Sequence, residues 1–96
     1  MVRPRHPKPD SNQARIIREL EAVGCAVLDI SAICGVADIL VWAYDWQAGD
    51  HRWRLFELKT DEGELTDAER EFQDRHPGAV HMARNMESVL AWFGRA

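Results

Sequence analysis

Three residues offer chemistry before any others: Asp38, Glu57 and Lys59. The segment Phe56-Glu57-Leu58-Lys59 places an acid and a base inside an otherwise apolar stretch. In an extended strand, the two-residue period puts Glu57 and Lys59 on one face and Phe56 and Leu58 on the other. Taking such charges out of water costs several kcal/mol each unless they are paired or bind a metal. As a Glu/Lys pair at the wet end of a sheet, they would be common and weakly stabilising. Asp38 stands immediately before a second apolar run, Ile39-Leu40-Val41-Trp42. Alone it reads equally well as a turn residue leading a strand. A hairpin between the two runs, however, would bring it beside Glu57. Two converging carboxylates with an ammonium two residues on form a hard-oxygen site for a divalent cation. Mg²⁺ takes one or two carboxylates and completes its shell with water and substrate phosphate. The ion polarises a phosphoryl oxygen and lowers the pKa of a bound water.

The elements that must position these residues are legible from periodicity and capping. Ile16, Ile17, Leu20 and Val23 form one face of a helix, with Asp10 as its expected N-cap, Gln13 in capping-box spacing and Gly24 as its stop. Strands are predicted over 26–30, 38–44 and 52–59. The second and third form a hairpin about the turn 45–50, which contains Gly49. The second strand is almost continuously apolar, as expected when both faces are covered. Thr66 and Glu69 form a capping box opening a second helix, with Phe72 inward and Pro77-Gly78 at its end. A short strand over 80–83 follows. Asn85 then caps a last helix whose Met86, Val89, Leu90 and Phe93 share a stripe. The expected order is α-β-β-β-α-β-α.

Ninety-six residues allow one compact domain. Such a domain buries only about 60–65% of its unfolded surface, which makes self-association a natural supplement. Residues 1–9 contain three prolines together with Arg3, Arg5 and Lys8, and read as a flexible basic arm. With −4 overall and +3 on the arm, residues 10–96 carry a formal −7, so the body does not bind nucleic acid by general charge neutralisation. Cys25 and Cys34 match neither a disulfide framework nor a zinc pattern and read as reduced packing residues. His6, His51, His76 and His81 lack paired metal spacing, and no P-loop or G-x-S-x-G elbow occurs. Most of Trp42, Trp46, Trp53 and Trp92 are expected in the core, with Trp46 in the hairpin turn the exception. No apolar run reaches the roughly 20 residues of a membrane span, and no signal segment is recognisable, so the cytoplasm is the expected compartment.

Asp10-Ser11-Asn12-Gln13, Gly35-Val36-Ala37-Asp38-Ile39-Leu40-Val41, Phe56-Glu57-Leu58-Lys59, Leu65-Thr66 and Gly78-Ala79-Val80 occur in that order. Together they resemble the PD-(D/E)XK nuclease superfamily and, within it, the virus-type replication-repair nucleases (VRR-NUC). The likeness spans about Asp10 to Gly94, with Ala37 where many relatives have proline. It implies a restriction-endonuclease-like α/β fold, a mixed sheet of about four strands flanked by helices. It also implies Mg²⁺- or Mn²⁺-dependent hydrolysis of nucleic-acid phosphodiesters. By that resemblance Asp38, Glu57 and the Leu58 carbonyl would hold the metal, and Lys59 would orient or activate water. Gln13 would hold a metal-bound water, a role its capping-box spacing equally competes with. Glu69 stands where relatives often carry glutamine, with Gln73 one turn later, and its helix-capping role is the simpler reading. Similar small stand-alone nucleases are often phage-encoded homodimers that cut branched DNA. The resulting expectation is a structure-guided DNA endonuclease acting as a homodimer, with the basic arm supplying nonspecific affinity. The competing expectation is a non-catalytic nucleic-acid-binding or assembly protein, favoured by the seven acids between Asp61 and Asp74.

Overall fold

The computed structural model describes residues 7–59 and 63–95, with side chains from residue 12 onward. Its elements are α1 (Pro7–Ala22), β1 (Ala26–Asp29), β2 (Ile39–Asp45), β3 (Asp50–Leu58), α2 (Asp67–Arg75), β4 (Val80–Ala83) and α3 (Met86–Ala91). They follow the expected order. The four strands form one mixed sheet in the order β1-β2-β3-β4, antiparallel except for the parallel β3–β4 pair. That parallel step is the one that needs a crossover, and α2 lies within it.

Alternation along β2 decides which face is the core. Ile39, Val41 and Ala43 are buried, and Phe56 of β3 joins them. Helix α1 supplies Ile16 and Leu20, while α3 and the turn after it supply Val89, Leu90 and Phe93. The helical stripes therefore cover one sheet face. Truncating a fully buried aromatic such as Phe93 to alanine would cost about 3–5 kcal/mol. Cys25 is a reduced member of this core, and its thiol pKa is raised by burial; Cys34 is also reduced and half-buried.

Several expectations need correction. Helix α1 begins at Pro7 rather than after Asp10, because proline is tolerated in a first turn whose N–H groups have no helical partner. Residues 7–9, including Lys8, therefore belong to α1 rather than to an arm. Arg3 and Arg5 lie outside the described residues. Asp10 and Gln13 then lie within the helix rather than at its start. Val23 is exposed beyond the helix end. Strand β2 is covered on one face only, and Trp42, Trp46, Trp53 and Trp92 are all exposed. On the other face of β2 and β3, Trp42, Tyr44 and Trp53 are exposed, while Glu57 is buried where Glu69 of α2 approaches.

Candidate active site

The hairpin register assembles the site. The ladder pairs Ile39 with Phe56, so one further step sets Asp38 opposite Glu57 on the face away from the core. Asp38 closes the ladder in two ways. Its N–H donates to the Phe56 carbonyl at 2.8 Å, and its Oδ2 accepts the Leu58 N–H at 2.8 Å. In a strand a residue's N–H and carbonyl lie along the same edge, so Leu58 turns its carbonyl toward the Asp38 side as well. Lys59 continues the parallel pairing by donating its N–H to the Ala83 carbonyl at 3.0 Å. Both strands are thus held firmly at the point where their side chains meet.

Lys59 Nζ lies 3.1 Å from Glu57 Oε2 and 3.0 Å from Glu69 Oε1. Glu69 comes from the first turn of α2, where the capping box forms as its spacing predicts. Its N–H donates to Thr66 Oγ1 at 3.2 Å, and its Oε1 accepts the Thr66 N–H at 2.9 Å. The same carboxylate therefore caps a helix and anchors the lysine. Only the first of these roles was readable from spacing.

Two acids hold the Lys59 ammonium and a third, Asp38, stands beside Glu57, and the electrostatics follow. Burial, and next the Asp38 charge, push the Glu57 carboxyl up to about 8. Burial also raises Asp38 above the usual carboxylate range, against the opposing hydrogen bonds from Leu58 N–H and from the Glu57 carboxyl. Without a cation, Glu57 favours its protonated form at neutral pH. Burial works against the charged form of both Glu69 and Lys59. Even so, the Thr66 N–H and Lys59 hold Glu69 below its ordinary value, and Glu69 and Glu57 hold Lys59 above its own. Lys59 is therefore a persistent cation rather than a ready base.

Gln13 takes a different place. Buried on α1, it donates from Nε2 to Ser31 Oγ at 3.3 Å, and Ser31 Oγ donates to Asp29 Oδ1 at 2.7 Å. These residues line a surface groove of about 680 Å³ with Ile17 and Arg18. Between Asp29 and Ser31 in the chain, the Ile30 N–H donates to the Asp38 carbonyl at 2.9 Å. Gln73 on α2 has a buried Nε2 without a hydrogen-bond partner. Sequence reasoning also missed a polar cluster at the other end of the hairpin. There Arg54 Nη2 meets Asp45 Oδ2 at 2.6 Å and its Nη1 lies 3.1 Å from His81 Nε2. An arginine inside a strand pattern was the available signal.

No protein-family model matches the chain, and no curated protein or solved structure matches it significantly. Among the described residues, no group of three or more His, Cys, Asp and Glu side chains is set to hold a metal ion. The donor set of interest is smaller: the two carboxylates Asp38 and Glu57 with the neighbouring Leu58 carbonyl. Among those residues, too, no helix is long and apolar enough to cross a membrane.

Proposed function

We propose that the chain is a divalent-cation-dependent nuclease that hydrolyses DNA phosphodiesters, guided by DNA structure rather than sequence and acting as a homodimer. The observation that carries this reading is the meeting of Asp38 and Glu57 across β2 and β3, with Lys59 bonded to Glu57. The donor chemistry suits Mg²⁺ or Mn²⁺, since two hard carboxylate oxygens and a main-chain carbonyl leave room for water and phosphate oxygens. Asp38, Glu57 and the Leu58 carbonyl would hold the ion, which when bound supplies Lewis-acid polarisation of the phosphoryl group and a more acidic water.

The chain's own groups do the rest. With the ion bound, Glu57 would serve as an anionic carboxylate ligand. Lys59, held protonated by Glu57 and Glu69, places a positive charge beside the scissile phosphate and donates hydrogen bonds to oxygens that gain charge in the transition state. Glu69 positions Lys59 and does not touch substrate. A single small domain whose site addresses the phosphate backbone reads shape more readily than base sequence. Arg3, Arg5 and Lys8 would supply nonspecific affinity. Removing residues 1–8 would then flatten the salt dependence of DNA binding by up to about three counterions, at roughly 0.9 per phosphate contact.

The test is incubation of the purified chain with labelled single-stranded, duplex, flap and four-way-junction DNA in Mg²⁺, Mn²⁺ or EDTA. Metal-dependent cleavage that is abolished in a folded Asp38→Ala variant supports the nuclease. DNA binding with no cleavage of any substrate assigns the chain to the non-catalytic class, which the formal −7 of residues 10–96 favours.

A further inference from the structure

Away from Glu57 and β4, the face of the sheet opposite the core is apolar, aromatic and exposed. On it, Leu28 is 52% exposed, Trp42 36%, Tyr44 36% and Trp53 46%. The rings form one connected cluster: Trp42 to Trp53 at 5.3 Å, Trp42 stacked on His51 at 5.6 Å, and Tyr44 edge-on to His51 at 5.3 Å. Tyr44 also meets Trp46, 64% exposed at the rim, at 4.9 Å. The ladder explains the clustering, since Trp42 is registered with Trp53 and Tyr44 with His51. Helix α2 meets this face beside Glu57, where Glu69 bonds Lys59, and Val80 of β4, registered with Leu55, is buried.

We propose that this face is a two-fold interface with a second copy of the same chain. The charge pattern argues for that occupant. The outward positions of β1, β2 and β3 up to Leu55 are Ala26, Leu28, Leu40, Trp42, Tyr44, His51, Trp53 and Leu55, with no Lys, Arg, Asp or Glu among them. A nucleic-acid strand laid across it would find stacking surfaces but no cation for its phosphates, whereas base-stacking grooves pair aromatics with positive charge. An uncharged apolar patch is complementary to itself, as an isologous dimer requires.

The area is also of the right order. A large aromatic side chain presents about 150–250 Å², so the exposed fractions give on the order of 500 Å² per copy. Two copies would remove about 1,000 Å² from water, close to the lower bound for a specific interface. Two such sheets pack face to face about 10 Å apart. This deepens the homodimer reading by naming its surface, and its test requires no nuclease activity.

Sedimentation equilibrium on the full chain, from about 1 to 200 µM, reads the association directly. The wild type should sediment at twice the 11.0 kDa chain mass. Trp53→Glu and Trp42→Glu should each weaken dimerisation at least 100-fold while keeping the circular-dichroism signature of the fold. Ile33→Glu, at an 88% exposed position outside the sheet, should leave it unchanged. If a glutamate variant fails to fold, Trp53→Thr, which retains strand propensity, is measured in its place. A monomeric wild type at 200 µM overturns the proposal, and more so if oligo(dT) quenches its tryptophan fluorescence and Trp53→Thr removes that quenching. A dimer equally strong in the folded Trp53 and Trp42 variants also overturns it. Loss of the dimer with cleavage unaffected would separate this surface from the nuclease reading, because the two assays are independent.

Discussion

Asp38 and Asp45 stand at opposite ends of β2, and their surroundings treat them in opposite ways. Asp45 is 1% exposed and fully partnered: Oδ1 accepts the N–H groups of Gln47 and Ala48 at 2.9 and 3.0 Å, and Oδ2 accepts from Arg54 at 2.6 Å. The Arg54 bond, followed by the Ala48 N–H, holds its carboxyl below the ordinary value. Arg54 in turn lies 5.6 Å from the centre of the Phe93 ring and bonds His81, whose imidazole is lowered by burial and by the guanidinium. Asp38 instead accepts one backbone N–H and faces Glu57, and both carboxyls are raised. A buried aspartate is therefore not in itself a sign of function. The distinction lies in whether the protein satisfies the anion. The Asp45 end is closed by its own cation, while the Asp38 end holds more negative charge than Lys59 balances and suits an added one.

The largest effect separating the two ends should be catalytic. Lys59→Ala is expected to lower the single-turnover cleavage rate by at least about 100-fold, the lower range for a positioned electrostatic or acid–base group, with DNA affinity changed only a few-fold. Lys59→Arg should recover only part of the loss, because a planar fork replaces a compact charge. Arg54→Met, by contrast, should leave the rate per folded molecule unaltered. Rapid-quench assays with saturating enzyme distinguish these outcomes.

Stability should show the reverse ranking. Arg54→Met leaves the Asp45 carboxylate buried without a counter-charge and should lower the melting temperature more than any single change at the Asp38 end. Asp38→Asn keeps an oxygen for the Leu58 N–H and removes a charge that opposes Glu57. In EDTA it should be neutral or stabilising, within about 1 kcal/mol, as expected where function is maintained against stability. A melting temperature that falls more for Asp38→Asn than for Arg54→Met would erase the contrast.

These two expectations also show how far the sequence could be read. Strand β4, the Thr66–Glu69 capping box, the Asn85 cap and the β2–β3 hairpin were legible because each is specified by neighbouring residues, whereas the capping box read at Asp10 and Gln13 fell inside α1. The pairing of Asp38 with Glu57 followed from that hairpin and strand alternation. Glu69's contact with Lys59 was not legible, because it depends on how a crossover helix returns to the sheet. The Asp45–Arg54–His81 cluster joins three strand positions across two ladders and has no local signature. The tryptophans misled because an apolar run reads as buried whether its second face is covered by a helix or left bare.

The pH dependence of stability should differ in sign between the two ends. In EDTA, Glu57 titrates at about 8 in the folded chain against an ordinary value of 4.5. Its contribution is thus fully present below about pH 4.5 and is lost as pH rises through 8. Asp45, lowered from 3.8, contributes above that value and is lost as pH falls through its depressed folded value. Melting temperatures across pH 3–9 should show Glu57→Gln removing the decline on the alkaline side and Asp45→Asn reducing the loss in acid. Equal slopes in wild type and Glu57→Gln between pH 5 and 8 would contradict the first assignment.

The smallest effect is expected for Glu69→Gln. Glutamine also completes a capping box, so the helix end should lose less than about 1 kcal/mol. Removing the anion beside Lys59 should slow cleavage by less than about tenfold, and a shift of the alkaline limb of the rate profile to lower pH would mark its positioning role.

The most direct measurement is a calorimetric titration of Mn²⁺ into the wild type, Asp38→Asn, Glu57→Gln and Asp45→Asn, each at a temperature where circular dichroism shows it folded. Binding to the wild type and to Asp45→Asn with matching affinity, weakened at least tenfold in both Asp38→Asn and Glu57→Gln, is the expected result. Undiminished binding to Asp38→Asn, or no binding to the wild type, would contradict the assignment of Asp38 and Glu57 as the cation site.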